Sequence, residues 1–138
     1  MDHHLERFVE AQAATYATAL AELRAGAKRS HWMWWIFPQL AGLGRSETAR
    51  FYAIGSATEA QAYLAHPMLG PRLVEATEAV TAARGSADGI MRPVDAMKLR
   101  SSMTLFASIA DDPAVFEAAL ARFFDDERDA ATLALLAK

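Results

Sequence analysis

Asp95 and Lys98 lie three residues apart on a stretch that continues into Leu105, Phe106 and Ile109. At 100° per residue these positions share one side of a helix with Ser102, so an inward face begins charged and ends apolar. A carboxylate or ammonium aimed at a core is costly unless it is paired or hydrogen-bonded. The i,i+3 spacing lets the two pair with each other. That leaves two readings open: a partly buried ion pair that fixes helix register, with Ser102 bonded to backbone, or the wall of a pocket completed by polar groups from elsewhere. Arg100, Thr104 and Ser108 fall on the opposite side.

The second such place is KRSHWMWWIFPQ, Lys28 to Gln39, which holds all three tryptophans behind two cations, a serine and a histidine. Ser30 reads as an N-cap, His31 as first turn, and Trp32 to Phe37 as a short apolar helix stopped by Pro38. A segment hydrophobic all round is buried, so the cluster is core first. Its polar ends, Lys28, Ser30 and His31 before it and Gln39 after it, can give a pocket aromatic walls and donors for an anion. Gln12 interrupts a third stripe, that of Leu5, Phe8, Val9, Tyr16 and Leu20.

Other candidates carry less. Gly42 to Gly44 followed by Ser46 can cradle a phosphate or simply turn the chain, and it lacks the strand and spacing of a dinucleotide fingerprint. His66 before Pro67 is a general-base candidate or a capping histidine. His3 and His4 sit near the terminus and receive no role. No His, Asp and Glu set has metal-ligand spacing, and there is no nucleophile elbow or P-loop, so no metal or cofactor is expected.

The elements that must position these groups are helical. Leu5 to Leu23 recur at helix spacing up to Gly26; Ser46 caps a short helix ended near Gly55; Ser56 and Glu59 form a capping-box pattern. Pro67 opens a helix with the stripe Leu69, Leu73, Ala76 and Val80. After a loop containing Gly89 and Pro93 comes a long helix from about Val94 to Ile109; Asp112-Pro113 starts another, and Asp129 caps a last one. No stretch alternates as a strand does. The expectation is an all-α single domain spanning 1–138, with six to eight helices and no significant sheet.

With 138 residues, 53% hydrophobic and 22% charged, the composition is that of one globular domain rather than a disordered chain. No apolar run has the length of a membrane span, and MDHHLERF has neither the basic nor the apolar region of a signal peptide. Zero cysteines exclude disulfides and thiolate chemistry and fit a cytoplasmic setting. A net charge of −3 argues against a dedicated nucleic-acid binder. The charge is uneven: residues 24–50 hold five bases against one acid, whereas 111–129 hold seven acids against two arginines.

Four segments carry a resemblance: RFVEAQ at Arg7–Gln12, SHWMWWIFPQLAGLGRS at Ser30–Ser46, YLAHPMLGPRL at Tyr63–Leu73 and DAMKLRSSMTLF at Asp95–Phe106. Together they resemble the domain-of-unknown-function family 1810 over nearly the whole chain. Bacterial members often carry the label calpastatin, but inhibitors of that kind are long, disordered and repetitive, and this chain is none of these. The resemblance implies a compact all-helical fold and no established activity. It implies signature polar residues at Gln12, Lys28, Ser30, His31, Trp32, Gln39, His66, Asp95, Lys98, Ser101, Ser102 and Thr104. In IMRPVD it places Arg92 where the family pattern calls for glycine.

Two functional readings follow. In the first, a pocket takes a small anionic molecule, phosphate-bearing and nucleotide- or ADP-ribose-like. Lys28, Arg29, Lys98 and Arg100 supply charge, Gln12, Ser30, Gln39, Ser101 and Ser102 supply hydrogen bonds, and Trp32 or Trp34 a stacking wall. Asp95 or His31 is then the acid/base candidate for hydrolysis of such a compound. In the second, the polar residues only fix helix packing, and the protein is a non-catalytic structural or interaction module, monomeric or homodimeric.

Overall fold

The computed structural model describes residues 3–138, and these form ten helices with no strand; the nearest thing to one is an isolated bridge between Leu40 and Ile54. The helices are α1 (Glu6–Ala13), α2 (Tyr16–Ala25), α3 (Met33–Ile36), α4 (Glu47–Phe51), α5 (Ala57–Ala65), α6 (Leu69–Ala82), α7 (Ala87–Met91), α8 (Pro93–Ile109), α9 (Ala114–Phe124) and α10 (Ala130–Leu136).

The all-α expectation holds, and its helix count is too low for two local reasons. The stripe from Leu5 to Leu23 is two helices, because the chain breaks at Ala14–Thr15, where Thr15 leaves helical geometry at φ −128°. The break has a consequence: the Thr15 hydroxyl donates to the Ala11 carbonyl and accepts the Trp35 indole N–H at 2.8 Å. The second is α7, in the segment read as loop. Gly89 in its middle lowers helix propensity, but Ser86 caps the turn by accepting the Gly89 amide at 3.0 Å.

Where cap chemistry is explicit, ends match expectation. Ser46, Ser56 and Asp129 accept the amides of Ala49, Glu59 and Thr132. His66 caps α6, its Nδ1 accepting the Met68 and Leu69 amides. Only half of the capping box forms, because Glu59 turns to Arg7 in a buried ion pair at 2.8 Å. The same guanidinium donates to the Phe51 and Ala53 carbonyls, which ties α1 to the end of α4.

Helix α8 is the centre of the molecule and packs against α5, α7, α9 and α10. An unbroken series of ring contacts crosses the core from α1 to α9: Phe8 to Tyr63 at 5.1 Å, Tyr63 to Phe106 at 5.5 Å, Phe106 to Phe116 at 5.8 Å. Gly70 lets α6 lie against α5, since a Cβ there would stand 2.0 Å from the Leu64 carbonyl oxygen. This frame leaves the first turn of α8 against the segment that leads from α2 into α3.

Candidate functional site

The junction of those two segments is built around Asp95. It occupies the third residue of α8, where the helix N-terminus favours a carboxylate. Its Oδ1 accepts from Lys98 Nζ at 3.1 Å, and its Oδ2 pairs with Lys28 Nζ at 3.0 Å. Each ammonium also lies over an indole face: Lys28 is 4.8 Å from the Trp32 ring centre and Lys98 4.2 Å from that of Trp34. Such cation–π contacts reinforce the ion pairs. Burial pushes the Asp95 pKa up, but hydrogen bonds and charge from Lys28 and Lys98 outweigh it and hold the carboxyl below its usual range. Asp95 is therefore an anion at neutral pH.

Lys28 is placed by backbone as well as charge. Its amide donates to the Ile90 carbonyl at 2.8 Å, and its ammonium to the Ser30 carbonyl at 2.7 Å. The loop it stands on is gripped by Glu22 of α2. That carboxylate accepts the Arg29 amide at 2.8 Å, the Ser30 amide at 3.0 Å, the Ser30 hydroxyl at 2.6 Å and the Trp32 indole N–H at 3.0 Å. Ser30 is not the N-cap of α3, as its sequence position suggests: the helix begins only at Met33, with Trp32 in the cap position, and the Ser30 hydroxyl donates to Glu22. Burial raises the Glu22 pKa, yet these donors more than offset it and bring it from an ordinary 4.5 to about 2. A depressed carboxyl pKa adds stability above the unfolded value and loses it as pH falls through the folded one. Between about pH 4.5 and 2 the wild type is expected to lose stability more steeply than Glu22→Gln. Denaturant midpoints across that window test this.

The cavity beside Asp95 has a volume of about 360 Å³ and is lined by Lys28, His31, Trp34, Asp95 and Lys98, with Trp32, Met33, Trp35 and Thr48. His31 is exposed at its rim. Trp32 is only 1% exposed and its face is taken by Lys28, so it forms a wall but offers no free stacking surface. Trp34, half-buried, is the indole nearer solvent.

Several sequence-nominated residues lie elsewhere. Gln12 is buried beneath α3, donating to the Trp35 carbonyl and to Tyr63 Oη. Gln39 sits at the Leu40–Ile54 bridge, where its carbonyl accepts the Ile54 amide. Arg100 donates to the carbonyls of Glu127 and Arg128, and Ser101 to Asp129, so both hold the C-terminal segment against α8. Ser102 is fully buried, and its hydroxyl has no partner. The turn at Gly42 to Gly44 is explained by packing: a Cβ at Gly42 would meet Leu135, and one at Gly44 would stand 2.5 Å from Ala49 Cβ. Among the described residues no group of three or more His, Asp or Glu is placed to hold a metal, and no helix is long and apolar enough to cross a membrane. Sequence reasoning missed Glu22 and Thr48. For Glu22 a signal existed, since a buried indole N–H requires an acceptor.

The family model described as a protein of unknown function, DUF1810, matches residues 2–136. The chain belongs to this family. It is similar to the conserved hypothetical protein Rv1873 from Mycobacterium tuberculosis, whose crystal structure shares 52% identity at a TM-score of 0.97 over 99% of this chain and 98% of that one. No curated protein matches.

In this DUF1810 chain Arg92 turns α7 into α8. The residue has φ +76° and ψ 156°, a conformation open essentially to glycine alone. It forms the corner between α7 and α8 that delivers Asp95 to the lysines. Arg92→Gly should relieve about 1–3 kcal/mol of strain, against about 0.5–1 kcal/mol of added chain entropy in the unfolded state. A rise in melting temperature of about 3 °C is expected, roughly what 1 kcal/mol gives at this size. An unchanged or lower melting temperature would show that the corner is not strained.

Proposed function

We propose that this protein binds a small anion of the phosphate-bearing, nucleotide- or ADP-ribose-like class in the cavity beside Asp95. One observation carries the reading: two ammonium groups face one carboxylate at the wall of a cavity of about 360 Å³. The charged side chains that line the cavity are therefore net positive, and both ammonium groups are oriented before any ligand arrives. Asp95 acts as a holder of the lysines, because a depressed carboxyl pKa makes it a poor proton donor. If the bound compound is hydrolysed, His31 at the rim is the side chain suited to moving the proton. Cavities of this kind fall at the small end of the roughly 300–1,000 Å³ range for ligand sites, which favours a mononucleotide over a larger compound.

The test is thermal denaturation with AMP, ADP, ADP-ribose and inorganic phosphate. A ligand at about 100 times its Kd adds roughly 2.7 kcal/mol to the folded state, and Lys98→Met should abolish the shift. If none of the four raises the melting temperature of the wild type, the reading fails.

The interaction-module reading keeps one supporting observation. Val94 and Met97, on the first turns of α8 beside Asp95 and Lys98, are 67% and 71% exposed. Apolar side chains so placed suit a protein partner. Val94→Gln with Met97→Gln should then alter self-association in analytical ultracentrifugation and leave anion binding unchanged.

A further inference from the structure

On the face formed by α6 and α9 lies a second concavity. One part, about 930 Å³, is walled by α5 and α6 and by the residues that lead from α8 to α9. The other, about 710 Å³, continues along α6 and α9 and shares Val74, Glu78 and Asp112 with the first, so the two are one trough. Its lining on α6 runs from Gly70 to Ala82, a length of about 18 Å at 1.5 Å per residue. The floor is apolar, with Leu64, Val74, Ile109 and Val115 each half-buried. The rim is acidic: Glu75, Glu78, Asp111 and Asp112 line it and are exposed, and no lining residue is basic. Arg24 reaches only Glu75, at 3.8 Å, from the α2 side.

We propose that this trough is a docking surface for a basic amphipathic helix of another protein. An apolar floor between two helices, about three helical turns long, accepts a row of side chains at i, i+3, i+4 and i+7. Carboxylates on both sides of that floor select a helix whose flanks carry lysine or arginine, steer its approach, and repel acidic helices. The inference is independent of the cavity beside Asp95 and stands whether or not that cavity binds an anion.

The experiment uses the whole isotope-labelled chain and a synthetic helix of about 18 residues, with leucines at i, i+3, i+4 and i+7 and lysines elsewhere. Chemical-shift changes confined to α6, α9 and residues 109–113 are expected. Glu78→Lys with Asp111→Lys should weaken binding by about tenfold or more, because attraction becomes repulsion. Both side chains are exposed, so the variant should keep the wild-type circular dichroism spectrum and melting temperature. A peptide with glutamates in place of the lysines should not bind. The proposal is overturned if shifts map elsewhere, or if a scrambled lysine/leucine peptide binds equally well. It also falls if charge reversal has no effect, or if the trough is already occupied by a second copy of the chain in peptide-free solution.

Discussion

Replacing Trp32 with alanine is expected to destabilise the protein by about 3–5 kcal/mol, the largest effect of any single change at the site. Trp32 is 1% exposed, its ring packs 6.2 Å from that of Phe37, and its N–H meets Glu22. Truncation leaves a large cavity, removes the face on which Lys28 lies and takes one of four donors from the Glu22 carboxylate. Trp32→Phe separates the contributions, because it keeps most of the volume and loses only the hydrogen bond. It should cost about 1 kcal/mol, the net worth of one hydrogen bond, since the half-exposed Glu22 keeps its Arg29 and Ser30 donors. At Trp34 and Trp35, both half-buried, truncation should cost less, with Trp34→Ala acting chiefly on whatever the cavity binds. Chemical denaturation of the four variants decides the order. If Trp34→Ala proves as damaging as Trp32→Ala, the cavity is closed in solution and its aromatic wall is core.

The helices were legible in the sequence wherever periodicity and cap residues agreed, as at Ser46, Ser56, Gly26 and Asp129. They were not where the local signal was ambiguous. Ala13 and Ala14 ahead of Thr15 hide a break, and the Trp35 indole that Thr15 then meets lies 20 residues away. Gly89 hides a one-turn helix. For the site, Asp95 and Lys98 were visible as an i,i+3 pair on a stripe that should be apolar, and Lys28 as a cation at the edge of an aromatic segment. That the three form one network depends on the corner at Arg92, which a side-chain pattern does not encode. Arg100 and Ser101 show the converse. They share α8 with Asp95 but face the segment 127–129, and no periodicity reveals which distant segment packs on the far side of a helix. Ser30 fits a cap by position, but α3 starts only at Met33, and the Ser30 hydroxyl makes a charge-assisted bond to Glu22.

The network makes Asp95 and its lysines sensitive in a particular combination. Asp95→Leu is expected to cost about 3 kcal/mol, the lower end of the range for a broken buried pair, since Lys98 is 22% exposed and can turn to water. Lys28 cannot do so easily: its side chain is 8% exposed, and without Asp95 it keeps only the Ser30 carbonyl and the Trp32 face. Adding Lys98→Met to Asp95→Leu should therefore fail to restore stability, although it would suffice if the i,i+3 pair were isolated. Only the triple variant Lys28→Met, Asp95→Leu, Lys98→Met removes every charge together with its desolvation cost, and it should be as stable as wild type or more so. Denaturant midpoints of the single, double and triple variants check this order, and a double variant of wild-type stability would mean that Lys28 does not depend on Asp95. The triple variant also separates structure from function. With both ammonium groups gone it should stay folded and show no thermal shift with any of the four anions, because stability kept while binding is lost marks polarity retained for a ligand rather than for packing. If it still binds the anion that the wild type binds, the anion sits elsewhere, and the three charges serve only to join α8 to the segment before α3.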